Sequence, residues 1–129
     1  MADAVYVVNG GLGLITGLLA GGSNKYVAWG TGATGAAVTD TAMQTAAAPT
    51  NATAVTGTSS QQQITTANDS YRVVGTVTAS GTLSITEVGV FNQATLSGAT
   101  CFVHGTFSSI SVNSGDSIEF TINTVFDQA

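Results

Sequence analysis

Ser117-Ile118-Glu119-Phe120-Thr121-Ile122-Asn123-Thr124 sets Ile118, Phe120 and Ile122 against Glu119, Thr121 and Asn123. Successive side chains of an extended strand point to opposite faces, so this alternation reads as a half-buried β-strand with one apolar face. Working back from it, the turn Asn113-Ser114-Gly115-Asp116 follows a run in which Cys101, Val103 and Phe107 alternate with Phe102, His104 and Thr106. Tyr71, Val73, Gly75 and Val77 alternate with Arg72, Val74, Thr76 and Thr78, and Ser80-Gly81 makes the next turn. Leu83 and Ile85 share a face of the following strand, but after Glu87 the apolar parity moves to Val88 and Val90. A β-bulge, or a strand covered on both sides, accounts for such a shift. Strands of this length, punctuated by turn residues, predict an antiparallel sheet protein.

The N-terminal half is less regular. Val5-Tyr6-Val7-Val8 reads as a short strand or extended arm, and Leu12, Ile15, Leu18 and Leu19 recur close to a helical period. Gly10, Gly11, Gly13 and Gly17 oppose that helix, each by about 1 kcal/mol relative to Ala, so only tertiary packing would hold it. Gly21-Gly22 would end it. Lys25-Tyr26-Val27-Ala28-Trp29-Gly30 is an aromatic and β-branched run that enters the turn Gly30-Thr31-Gly32-Ala33-Thr34-Gly35. Asp40 is placed to cap a helical turn through Thr41, Ala42, Met43 and Gln44, and Pro49 closes the region. From Thr50 to Thr66 only Val55 and Ile64 are larger apolar residues, which predicts a long excursion lying on something else.

Composition narrows the function. The 129 residues hold two basic side chains, Lys25 and Arg72, one His, one Cys and seven acids, for a net charge of −5. Nucleic acid is excluded as a partner, since neither cation has a basic neighbour and phosphate binding needs clusters of them. Charged residues make up 7% of the chain, against about a quarter in ordinary domains, so the surface must be one of hydroxyls and amides suited to packing against neighbours. One thiol makes no internal disulfide, and Cys101 is expected to be buried and inert. No apolar run reaches membrane-spanning length, and Leu12–Ala20 lacks the preceding Lys or Arg of an export signal, so neither a membrane nor secretion is expected. The matches to the glycosylation pattern at Asn51-Ala52-Thr53 and Asn68-Asp69-Ser70 are therefore read as accidental.

Each candidate for chemistry meets an objection. Gly30 to Gly35 spells G-x-G-x-x-G, but no helix pattern follows directly and no acid lies between Asp40 and Asp69, so a dinucleotide site is not expected. The glycines would instead let the backbone approach a neighbouring subunit. His104 has no second His and only Cys101 near it, short of a metal ligand set, and is read as a structural or interface histidine. Glu87 is expected to bond backbone amides or Arg72, and Asp116 to belong to a turn. Catalytic residues, cofactors and metals are accordingly not expected.

Four segments together resemble small structural proteins of tailed bacteriophages. They are Tyr26-Val27-Ala28-Trp29-Gly30-Thr31-Gly32, Asp40-Thr41-Ala42-Met43-Gln44, Tyr71-Arg72-Val73-Val74-Gly75-Thr76-Val77 and Ile85-Thr86-Glu87-Val88-Gly89-Val90-Phe91-Asn92. In that group a strand ending in G-T-G precedes a D-T-A-L-like turn, where this chain has Met43 for the commoner Leu, and an I-T-E-x-G-x-F strand precedes a hydroxyl-rich one. The resemblance implies a place in a virion, either as head decoration or cement protein or as a tail-fibre or baseplate component.

The expectation is a mainly β, single antiparallel β-sandwich of jelly-roll-like type, with residues 1–24 an arm or short helix packed on it and residues 25–129 the sandwich. The resemblance implies a non-enzymatic decoration protein on the capsid exterior, made in the host bacterial cytoplasm, bridging major capsid subunits or meeting other virion proteins as a homodimer or homotrimer. The alternative is a tail-fibre or baseplate domain. Contacts are expected from the arm Met1 to Tyr6, the Gly30 to Gly35 loop and the excursion Thr50 to Thr66. Tyr6, Lys25, Trp29, Thr31, Gly32 and Arg72 are the candidate interface residues, with Trp29 either core or anchor.

Overall fold

In a computed structural model, which describes residues 4–127, the alternating segments pair into two antiparallel sheets packed face to face, with one helix before them. Helix α1 spans Asn9–Ala20, and the strands are β1 (Tyr26–Gly30), β2 (Val55–Thr56), β3 (Thr58–Gln62), β4 (Ser70–Thr78), β5 (Leu83–Phe91), β6 (Cys101–Val112) and β7 (Ser117–Val125). One sheet has the order β2-β1-β5-β6 and the other β3-β4-β7. The expected mainly β sandwich with an N-terminal helix is the architecture found.

The core between the sheets is built from one parity of β1 and of β4, and from β5 residues whose parity changes across Glu87. Val27 and Trp29 of β1, Tyr71, Val73 and Val77 of β4, and Ile85 and Val90 of β5 are buried together. Directly opposite residues share a face, so Val73 opposite Ile122 and Val77 opposite Ile118 bring the alternation of β7 onto the same core. Gly75 has a specific reason to be glycine. A Cβ there would lie 2.6 Å from Cγ2 of Val27 on the facing sheet, so β4 and β1 meet only because this side chain is missing.

The stretch from Thr50 to Thr66 is not an arm lying on something else. Its backbone, despite its polar side chains, forms β2 against β1 and β3 against β4, and the chain passes from one sheet to the other at Gly57, whose N–H donates to the Lys25 carbonyl at 2.8 Å. Sheets of a sandwich are stitched together by such crossings. The Asp69 carboxylate then closes the β3–β4 connection by accepting from the amides of Ile64, Thr65 and Thr66 at 2.8–2.9 Å.

Helix α1 forms despite its glycines because β3 holds it. Gln61 Nε2 donates to the Gly13 carbonyl and to Thr16 Oγ1, Thr16 Oγ1 donates to the Asn68 carbonyl at 2.8 Å, and Ser59 Oγ donates to the Ala20 carbonyl. Ser59 and Gln61 lie opposite Val73 and Tyr71, so they point inward and the helix closes the β3 side of the sandwich. The buried face of the helix is Leu12 and Thr16, and Leu18, expected on that stripe, is 79% exposed. Gly21-Gly22 follows the last helical residue as anticipated.

Gly75→Val is expected to destabilise the fold by about 1–3 kcal/mol through overpacking against Val27. Gly81→Ala, whose Cβ would meet nothing within 4 Å, should be near neutral. Chemical denaturation of the two variants beside the parent checks both.

Candidate functional site

A bulge brings the ionisable side chains together. Ile85 opposes Ile110 while Glu87 opposes Thr106, so β6 carries two more residues than β5 across this step. The irregularity turns Glu87 away from the face that Ile85 shares with the core. Of the two explanations for the change of apolar parity after Glu87, a bulge or a strand covered on both sides, a bulge is present. Without it the carboxylate would point between the sheets.

On the outer face residues 31–54 fold back over β1 and β5. A second small core of Ala28, Ala54 and Phe91, with Met43, Leu96 and Cys101 packed on it, holds this cover down. Here Glu87 is fully buried and fully partnered. Its Oε1 accepts from the amides of Gly32 (3.0 Å) and Thr45 (2.8 Å), and its Oε2 from the amide of Gln44 (3.0 Å) and from His104 Nε2 (2.8 Å). The other ring nitrogen of His104, Nδ1, lies 2.6 Å from Asp40 Oδ2, which also accepts from the Ala37 amide at 2.8 Å. The His104 side chain is 3% exposed, held between two carboxylates.

Burial works against the charge on Glu87, but the amides of Thr45, Gln44 and Gly32 together with His104 outweigh it and hold the carboxyl below its usual range. Asp40 is lowered chiefly by the Ala37 amide and next by His104. Burial opposes protonation of His104, yet its hydrogen bonds to Asp40 and Glu87 and their charges prevail and raise its pKa. The cluster is a buried carboxylate–imidazolium–carboxylate clamp that fastens the 31–46 loop to β5 and β6.

Chemically, the clamp is saturated. Both ring nitrogens are engaged by carboxylates, so neither is turned toward a further ligand. Among the described residues no group of three or more His, Cys, Asp or Glu side chains is arranged to hold a metal ion. Cys101 lines a shallow depression of about 380 Å³ with Asp40 and His104. Its thiol is pushed up by burial and then by the Asp40 charge, and points to the Val103 carbonyl at 3.5 Å, which disfavours the nucleophilic thiolate.

The candidate interface residues divide. Trp29 is core: it is fully buried, its Nε1 donates to the Ala48 carbonyl at 3.1 Å, and it presents no anchor. Gly32 is buried and Thr31 half-buried in the clamp loop, whereas Tyr6, 77% exposed, and the half-buried Lys25 and Arg72 lie elsewhere. The Gly30–Gly35 glycines do allow a close approach, but to this chain's own Glu87: a Cβ on Gly30 or Gly32 would lie 2.4 or 2.8 Å from its Oε1. Beyond Gly32, residues 33–39 form an exposed loop with Val38 fully in solvent. Met1 to Asp3 of the expected contact arm lie outside the described residues. Of the two partners expected for Glu87, backbone amides are found, and Arg72 Nε donates instead to Asn123 Oδ1 at 2.9 Å. No helical turn follows Asp40, because its carboxylate is engaged with Ala37 and His104. Asp116 closes the β6–β7 turn by accepting from the Asn113 amide.

The convergence of Asp40, Glu87 and His104 was missed because they are 17 to 64 residues apart in sequence. One signal was available. Glu87 and His104 each interrupt an apolar strand in a chain with few charges, and such residues are buried only when paired.

Glu87→Gln is expected to cost about 3–5 kcal/mol, because an amide nitrogen would face backbone donors and leave His104 half unpaired. His104 raises stability fully below the ordinary imidazole pKa of about 6.5, and that contribution is lost as pH rises through its raised value. The lowered carboxyls act oppositely, losing their contribution as pH falls through their depressed values. In His104→Gln the decline of unfolding temperature from about pH 6.5 upward should flatten, as a pH series of thermal melts will register.

No protein-family model, curated protein or solved structure matches this chain.

Proposed function

We propose that this chain is a non-enzymatic structural protein that acts by presenting surfaces to other proteins, as a decoration protein on the capsid exterior of a tailed bacteriophage. The observation that carries the reading is the use of Asp40, Glu87 and His104 on one another and on backbone amides to pin a loop whose tip, Val38, projects into solvent. Groups that would transfer protons are committed to holding shape. A pinned loop loses little entropy when it docks, which favours its use as a contact.

The virion placement is supported by the resemblance in sequence, and the fold gives that resemblance a physical content. Three of its four segments contribute to one cluster: Gly32 donates to the Glu87 carboxylate, Asp40 holds His104, and Ile85-Thr86-Glu87 carries the bulge. On a shell, weak contacts of this kind gain from repetition, because each further contact of a multivalent assembly forms at high effective concentration. The major capsid protein is the proposed partner.

Mass-spectrometric counting of the polypeptide in purified particles tests the placement. Hundreds of copies are expected, whereas a handful indicates a tail-fibre or baseplate component and none refutes a virion role. Val38→Asp should weaken binding to isolated shells at least about tenfold while leaving the melting temperature unchanged. Unaltered binding would remove the loop from the contact.

A further inference from the structure

One segment of the outer cover hangs from a single side chain. Residues 35–42 run from Thr34, which pairs with the side chain of Gln44, to Met43, which is packed in the small outer core. Between those two anchors every residue is exposed except Asp40. Two hydrogen bonds of the segment, from the Ala37 amide to Asp40 Oδ2 and from the Asp40 amide to the Ala37 carbonyl, stay within it. Among the described residues, the one that crosses to the sheet joins Asp40 Oδ2 to His104 Nδ1 at 2.6 Å. Where a packed core would otherwise hold the segment down, Ala36, Ala37 and Val38 share with Cys101, Phe102 and Val103 of β6 the lining of the depression of about 380 Å³.

The two carboxylates that flank His104 are not equivalent. Glu87 is fully buried and accepts three backbone amides besides the ring, whereas Asp40, its side chain 23% exposed, accepts one. A charged imidazole donates from both nitrogens, but a neutral one has a single N–H and turns a lone pair outward from the other. When the ring gives up a proton, one carboxylate must therefore face that lone pair. Glu87 has no access to water and would lose its amides by moving, so leaving it unmatched is the costlier outcome. Asp40 can turn into solvent and take residues 35–42 with it.

We propose that Asp40 and His104 form a pH-operated latch: the imidazolium holds residues 35–42 against β6, and on deprotonation the ring keeps its proton on Nε2 toward Glu87, releases Asp40 and uncovers the depression. The charges that act on the ring are those of Asp40 from the loop and Glu87 from β5. Cys101, the titratable neighbour on β6, is kept neutral by burial and then by the Asp40 charge. Burial opposes the charge on His104, but its hydrogen bonds to Asp40 and Glu87 outweigh it. The latch is therefore shut at the ordinary imidazole value of about 6.5 and opens as pH rises through the raised one. At the acid end it fails where Asp40, lowered by the Ala37 amide and then by His104, takes up a proton. Gly32, Gln44 and Thr45 remain on Glu87, which confines the release to the tip. The inference does not depend on where the protein works.

Nuclear magnetic resonance of the full chain, followed from about pH 5 to about pH 9, is the test. Both ring nitrogens of His104 should carry protons at the acid end, and Nε2 alone at the alkaline end. Backbone order parameters of residues 36–39 should fall from about 0.85 to below about 0.6 with the same midpoint as the ring, while those of Gly32, Gln44 and Thr45 stay high. In Asp40→Ala, residues 36–39 should be loose at every pH, and unchanged amide signals from β4 and β7 will show that the sandwich is intact. A tip that stays ordered on both sides of the ring's titration, a ring that keeps both protons throughout, a proton left on Nδ1, loosening of Gln44 and Thr45 together with the tip, or an ordered tip in Asp40→Ala would each overturn the latch.

Discussion

A carboxylate taken wholly out of water must be given partners, and the requirement of Glu87 organises one face of this protein. Its oxygens accept three backbone amides and an imidazole. Three of those donors lie in the loop between β1 and β2, a segment rich in Gly, Ala and Thr whose apolar hold on the sheet comes chiefly from Met43 and Ala54. The charge adds a directional constraint to that small hydrophobic contact. Leaving a buried charge unpaired costs several kcal/mol, so the loop has one placement that satisfies Glu87 and many that do not.

The same requirement explains the irregularity in the β5–β6 pairing. Ile85 and Val90 must face the core and Glu87 must not, yet strict alternation would put Ile85 and Glu87 on one side. The extra residues on β6 resolve the conflict by reversing the facing of β5 between them. His104, on β6 opposite Gly89, then falls on the outer face within reach of Glu87 and of Asp40 from the loop. Gly30 and Gly32 complete the arrangement, since any side chain at either position would occupy the space of the carboxylate. Bulge, glycines and clamp are therefore one device with three parts, and a change in any part is felt by the others.

What could be read from the sequence follows from the range of the forces involved. Strands β4, β5 and β7 were legible because alternation is a local record of which face is buried, and the displaced parity after Glu87 marked an irregularity that a bulge or a strand covered on both sides would equally explain. Trp29 was readable only as core or anchor, since an aromatic residue beside a glycine-rich turn suits either. The stretch Thr50 to Thr66 misled because its strands are edge and crossover segments. Their pairing is made by backbone groups that composition does not reveal, and Ser59 and Gln61 point inward to bond a helix in place of packing apolar side chains. The helical turn expected after Asp40 failed for a related reason: a capping carboxylate has other uses once a distant histidine competes for it. Glu87 was legible as an acceptor of backbone amides, but not which amides, because those contacts span 42 to 55 residues.

Committing Asp40, Asp69, Glu87 and His104 to internal bonds also shapes the exterior. A chain with nine formally charged side chains, Lys25 and Arg72 among them, that turns three of its seven acids inward presents an outer surface with few charges to keep copies apart. Solubility then rests on hydroxyls and amides, which hydrate well but repel nothing. Under these conditions apolar side chains left in solvent, such as Leu14 and Leu18 on α1, face little electrostatic opposition to contact. The scarcity of charge outside and the clamp inside are thus linked: the acids that hold the loop in place are acids that the surface no longer carries.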